Sequence, residues 1–190
     1  MTKIAVWCRH QKDSIIGIGP EIPWRIPSDT RRFRNLTQGH TLVVGKNTYE
    51  SFPNRTLPNR KMVVVVAEPG YEVSDKDNHV VITDLNKLND FTEDLYISSG
   101  ASIYDACFSS PALMPDIAVD SVYCGNLNPN LSGRPVTVSR SVEVLERSYE
   151  ALPKQYELDN VKTTVWVKKG ASVNRSVIDS ICNYLETEGK

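Results

Sequence analysis

Short apolar runs separated by turn residues organise this chain. They lie at residues 3–8, 41–44, 61–66, 79–82, 94–97, 121–124 and 162–168, and they are rich in Val, Ile and aromatic residues. Several are continuous rather than alternating, which predicts strands buried on both faces. Helix-like segments fall between them, at residues 27–38, 46–51, 85–91 and 100–108. Ser28 or Asp29 is the candidate cap of the first, and Pro111 follows the end of the last. Strands alternating with helices predict an α/β fold around one largely parallel sheet. Helices thin out after Ser121, so an antiparallel edge is expected there. Beyond Gly170 the spacing changes. Val173, Val177, Ile178, Ile181, Cys182 and Leu185 form a helical apolar stripe. It reads as a helix docked on its own domain, with a partner or dimer helix as the second reading.

A chain of 190 residues has the length of one domain. With 40% hydrophobic and 24% charged residues, it has enough apolar surface to order itself. The 22 basic and 23 acidic residues nearly cancel, which leaves no electrostatic footprint for nucleic acid. No apolar run approaches the roughly 20 residues of a membrane helix, and residues 1–7 lead into a strand rather than a signal peptide. Cys8, Cys107, Cys124 and Cys182 stand apart, without a Cys-x-x-Cys, and His10, His40 and His79 are scattered. Reduced thiols in a cytoplasmic protein without a metal site are therefore expected.

Four segments carry candidate chemistry. Residues 16–29 hold two glycines and three prolines in a shaped loop that runs into a helix bearing Asp29 in its first turn. Ile22, Trp24, Ile26 and Phe33 surround that acid in sequence. A carboxylate among apolar groups is costly to ionise unless a cationic or amidine-like ligand meets it. The plainer reading is a capping aspartate at a solvent edge. Next, Gly45-Lys46-Asn47-Thr48 and Ser98-Ser99-Gly100-Ala101-Ser102 each follow a strand and open a helix. Free N–H groups there suit phosphates, and two such turns suit an elongated phosphate-bearing ligand across the strand ends. Each is equally an ordinary strand-to-helix turn, and neither is a P-loop or a G-x-G-x-x-G fingerprint. Finally, Arg55 and Arg60 flank a proline-stiffened loop, where Arg60 can offer a carboxylate a two-pronged fork or pair on the surface.

Taken in order and spacing, these segments resemble the dihydrofolate reductases. The matching stretches are Ile16–Trp24, Pro27–Phe33, Val43–Phe52, Leu57–Arg60 and Ser99–Tyr104, within residues 3–168. The resemblance implies a twisted, mainly parallel eight-stranded sheet with an antiparallel edge and flanking helices. It implies a domain at 1–170 and a C-terminal helical extension at 171–190. It implies NADPH-dependent reduction of 7,8-dihydrofolate, with Asp29 on the pterin 2-amino group and N3. Trp24 would hold a water near that acid, and Ile22 would ride a loop closing over the nicotinamide. Phe33, Phe52 and Leu57 would wall the pterin and aminobenzoyl pocket, and Arg60 would meet the glutamate tail. Gly17, Gly45, Lys46, Asn47, Thr48, Val66, Ala67, Ser99, Gly100, Ala101, Ser102, Ile103 and Tyr104 would line the cofactor. A monomer is implied, with the C-terminal helix as the element offering a dimer surface.

Four features depart from the family pattern. Ser99-Gly100 stands where the family has a cis Gly-Gly. By alignment Gly125 occupies the place of a threonine that bonds the acid. Ala67-Glu68 replaces polar or basic groups at the cofactor's 2′-phosphate, which keeps NADH as the second cofactor reading behind NADPH. Trp7 and Arg9 lie near small apolar positions, so Arg9 either reaches the pterin pocket or turns away. Two other functions remain open at this point: a related pterin or riboflavin-pathway pyrimidine reductase on the same fold, and a non-catalytic folate- or nucleotide-binding relative.

Overall fold

A computed structural model describes residues 1–188. Eight strands form one sheet in the order β5-β4-β3-β6-β1-β7-β10-β9. They are β1 (Lys3–His10), β3 (Thr41–Gly45), β4 (Lys61–Val65), β5 (His79–Ile82), β6 (Leu95–Ile97), β7 (Ile117–Tyr123), β9 (Tyr149–Leu158) and β10 (Val161–Lys168). The six strands from β5 to β7 pair in parallel, while β10 runs antiparallel to both β7 and β9. Both the mainly parallel sheet and its antiparallel edge are therefore as expected. A separate ribbon pairs β2 (Ile15–Ile18) with β8 (Pro135–Thr137).

Five helices flank the sheet: α1 (Pro27–Thr37), α2 (Lys46–Ser51), α3 (Ala101–Ser109), α4 (Ser139–Ser148) and α5 (Arg175–Glu188). Residues 85–90, expected as a helix, form a 3-10 helix. Neither Ser28 nor Asp29 caps α1. Pro27 occupies its first turn, Ile26 sits at the cap, and no side chain bonds the free amides there. Proline takes that place because its fixed φ suits a helix start and its missing N–H removes one orphan donor. Asp29 is thereby released from capping and stands at the third position of the helix.

Alternation along β1 divides the core. Ile4 and Val6 join one cluster with Leu36 of α1, Tyr49 of α2 and Ile181 and Leu185 of α5. Ala5 and Trp7 join the opposite cluster with Ile103 and Phe108 of α3 and Leu145 of α4. The same alternation settles Arg9. It turns with Trp7 to the face opposite α1 and meets Asp120 of β7, Nε to Oδ1 at 2.8 Å and Nη2 to Oδ2 at 3.0 Å. Trp7 Nε1 donates to the same carboxylate at 2.6 Å. Arg9 therefore belongs to a structural ion pair and not to the α1 side of the sheet.

Asp120 is 2% exposed and holds three donors. Asp120→Ala strands a guanidinium and an indole N–H, so urea unfolding should show a loss of about 3–5 kcal/mol, as for broken buried pairs. The double variant Arg9→Met with Asp120→Leu should recover most of that loss.

Candidate active site

The sheet reverses its winding between β3 and β6, which are direct neighbours. The β3-α2-β4 connection moves toward one edge with Tyr49 of α2 in the cluster on the α1 face. The β6-α3-β7 connection moves the other way with Ile103 and Phe108 of α3 in the opposite cluster. Right-handed crossovers leaving in opposite directions open a crevice beyond the strand ends, the place where open α/β sheets take ligands.

Asp29 stands half-buried in the first turn of α1. Burial holds its carboxyl above the ordinary aspartate range. Arg32, one helical turn on, pulls in the opposite direction, as do the Cys8 thiol and the Trp24 indole, and Glu188 of α5 adds an upward push. Burial and the negative Asp29 likewise push the Cys8 thiol up, so it stays protonated and presents a donor to the acid. Trp24 Nε1 is buried without a partner at hydrogen-bond distance. Its ring packs on Tyr123, centroid to centroid 5.4 Å. Among the described residues no cation lies within ion-pair distance of Asp29.

Phe33 of α1, Phe52 after α2 and Leu57 come together as half-buried groups on the rim of the cluster on this face. Arg60 lies at the far end of α1, 8% exposed. Its Nε donates to Thr37 Oγ1 at 2.9 Å, Nη1 to the Pro58 carbonyl at 2.6 Å, and Nη2 to the Arg34 carbonyl. Three of five N–H groups are thus spent on holding the fork still, which leaves one on each terminal nitrogen.

At the crevice, Gly45 ends β3 and its N–H donates to Ser99 Oγ at 2.7 Å. A Cβ on Gly45 would come within 3.2 Å of that oxygen, so glycine is what lets the two turns close on each other. The Ser99-Gly100 peptide is trans, unlike the family's expected cis pair. A Cβ at Gly100 would meet open space, which leaves the approach to α3 clear. Lys46 and Asn47 are exposed and Thr48 is half-buried, with Lys46 Nζ 5.3 Å from the centre of the Tyr71 ring. At the start of α3, Ala101 is half-buried against the core and Ser102 is exposed, whereas Ile103 and Tyr104 are buried. The Tyr104 hydroxyl donates to the Val6 carbonyl at 2.6 Å and accepts the Ser99 N–H at 3.1 Å, so it fixes the turn from beneath. Val66 is 6% exposed and packs into the core, while Ala67 and Glu68 after it are exposed.

Ile22 is 66% exposed on a loop tethered at both ends. Gly17 and Ile18 belong to the β2–β8 ribbon. Gly133, at φ 143°, lets the backbone come so near Gly19 that a Cβ would sit 3.1 Å from its nitrogen. Farther on, Asn128 N–H donates to the Pro23 carbonyl at 2.8 Å. A hollow of about 380 Å³ lies between this loop and residues 126–131, lined by Ile22, Trp24, Tyr123 and Leu131 but not by Asp29 or Arg60.

Gly125 does not stand beside the acid. It follows β7, its carbonyl bonds His10 Nε2 at 2.9 Å, and a Cβ there would collide with the Tyr123 ring. Strand register places Ser121 opposite Cys8 instead, its hydroxyl 2.9 Å from Thr163 Oγ1. Cys8, Arg32 and Glu188 were not among the sequence candidates. Period-2 alternation along β1 and the i, i+3 spacing from Asp29 could have found the first two. Nothing local marks Glu188.

The strand order, the acid in the first turn of α1 and the winding reversal define an open α/β protein with a crevice beyond its strand ends. The family model described as dihydrofolate reductase matches residues 3–126. A dihydrofolate reductase of Enterococcus faecium is 30% identical over 127 residues, 65% of this chain and 74% of that protein. The type A13 dihydrofolate reductase of Escherichia coli is 36% identical over 94 residues, 47% of this chain and 54% of its own. The solved dihydrofolate reductase of Enterococcus faecalis, complexed with NADP(H) and RAB-propyl, superposes with a TM-score of 0.70 at 17% identity, over 88% of this chain and 96% of that one. The chain belongs to the dihydrofolate reductase family.

Because folding raises the Asp29 pKa, the native state favours its protonated form. The cost of ionising it appears as pH rises from the ordinary aspartate range through the raised value. Asp29→Asn should therefore raise the urea midpoint at neutral pH. That gain should shrink on acidification and vanish below the ordinary range.

Proposed function

We propose that this chain reduces 7,8-dihydrofolate to tetrahydrofolate with NADPH, and that Asp29 is the residue on which the reaction turns. The observation that carries this reading is an acid in the first turn of α1, half out of water and without an ion partner, facing Cys8 near the end of β1. A carboxylate so placed gains most by accepting two parallel N–H groups from an amidine-like edge, as the pterin 2-amino group and N3 provide. Membership in the family supplies the substrate class, and residues 1–170 form its reductase domain with residues 171–190 as an extension.

The cofactor supplies a hydride to pterin C6. Gly45, Lys46, Asn47 and Thr48 at one turn, and Ser99, Gly100, Ala101 and Ser102 at the other, would hold its phosphates with backbone amides and hydroxyls. Clear space over Gly100 fits that role. Ile103, Tyr104, Val66 and Ala67 shape the walls, and Gly17 anchors the loop that bears Ile22. Lys46 is the cation placed to meet the added phosphate of NADPH.

Asp29 orients the ring and raises the basicity of N5 through its negative charge in a poorly solvated setting. Trp24, with its buried indole N–H near the acid but beyond hydrogen-bond distance, would hold a water there. Phe33, Phe52 and Leu57 exclude solvent from the pterin and the aminobenzoyl ring. Arg60, with its fork immobilised by Thr37, Pro58 and Arg34, presents its remaining N–H groups to the glutamate carboxylate.

Loss of reduced nicotinamide on mixing with dihydrofolate tests the assignment. Asp29→Asn should lower kcat at neutral pH by about 10²-fold or more, the scale of general acid–base contributions. The deficit should narrow at acidic pH, where solvent supplies the proton. Near-wild-type turnover of the variant at neutral pH would refute the role.

A further inference from the structure

Arg32 sits three residues after Asp29 on α1, the spacing at which helix side chains of opposite charge meet. An arginine in that place has an evident partner in the acid. It is bonded elsewhere: Arg32 Nε donates to Glu188 Oε2 on α5 at 2.7 Å, and both side chains are 3% exposed. The pairing spans 156 residues of sequence and joins the two helices where they pack. It is a single-point contact, since Arg32 Nη1 and Glu188 Oε1 are both buried without partners.

From this geometry we propose that Glu188 is a positioning residue for the reaction: it engages Arg32 so that Asp29 stays free of an internal counter-ion and available to the pterin. This inference rests on the function proposed above. Removing Glu188 leaves a buried guanidinium without its ion partner, and Asp29, three residues before it on the same helix and already under its charge, is placed to neutralise it. An Arg32–Asp29 pair would occupy the carboxylate that the amidine edge needs.

The other groups around the cluster leave this exchange in place. The Cys8 thiol on β1 is neutral. Tyr184 on α5 accepts a hydrogen bond from Asn35 Nδ2 of α1 at 3.2 Å, and burial, with Glu188 beside it, raises its own pKa. Lys154 on β9 pairs with Glu186 on α5, and Glu157 and Tyr156 of β9 line the hollow outside the Arg32–Glu188 contact. Arg32 acts on Asp29 more strongly than Glu188 does, so loss of both charges and loss of Glu188 alone move the acid in opposite directions.

The test compares Glu188→Gln, the double variant Arg32→Met with Glu188→Leu, and Ile181→Ala, which loosens α5 without changing charge. The readouts are KM and kcat for dihydrofolate, and the Asp29 carboxyl titration in the ligand-free protein by carbon NMR. Glu188→Gln should raise KM about tenfold with little change in kcat, a typical coupling within a charged cluster. Its Asp29 midpoint should fall below that of the wild type. The double variant should return KM to near the wild-type value and place the midpoint above it. Ile181→Ala should unfold at lower temperature with its KM and titration unchanged. If Glu188→Gln does not fold, Glu188→Asp, which draws the acid back from Arg32, carries the same expectation. An unchanged KM and midpoint in the single variant, or a double variant as impaired as the single, would overturn the inference. An inactive wild-type protein would instead refute the proposed function, and the NMR titration would still judge the role of Glu188.

Discussion

The structure turns on keeping one carboxylate partly out of water without a matched positive charge. Asp29 meets that condition because α1 begins with a proline and needs no side-chain cap, so the acid is carried inside the first turn. Its surroundings come from four parts of the chain: a thiol on β1, an indole on the loop before α1, a guanidinium one turn along, and an acid on α5. None of them forms a close ion pair with it. The cost of ionisation therefore stays in the folded protein.

The remainder of the architecture arranges two surfaces around that acid. On the α1 face, Phe33, Phe52 and Leu57 remain half-exposed although they border a closed core, and Arg60 is fixed at the end of their row. At the strand ends, the opposed departures of α2 and α3 bring two helix starts side by side, and Ser99 stitches them together through the Gly45 amide. Serine stands where the family pattern has glycine, and its hydroxyl is used within the turn.

Local patterns revealed those parts whose chemistry is local. Trp24, Asp29, Phe33 and Arg60 lie in segments whose prolines and glycines announce a shaped loop, and the continuous apolar strands 41–45 and 61–65 are self-evident. The missed elements lack such signals. β9 is an edge strand carrying Pro153, Lys154 and Gln155, and its ladder is irregular near Thr164, so it reads as a loop. α4 buries only Ser141, Val142 and Leu145 among charged neighbours. Gly125 was misplaced because alignment by spacing cannot see where β7 ends, whereas strand register puts Ser121 across from Cys8. The Arg32–Glu188 contact is invisible in the same way, since no periodicity links residues so far apart.

β1 lies between β6 and β7, so the first strand in the chain waits for partners at residues 95–97 and 117–123. Its two faces seed both apolar clusters, and neither cluster can close before those distant segments arrive. Large loops must therefore be ordered before the sheet's centre returns any stabilisation, which makes assembly slow and leaves β3 and β4 with a bare edge meanwhile. During synthesis on the ribosome, more than half of the polypeptide has to emerge before the middle of the sheet can exist at all.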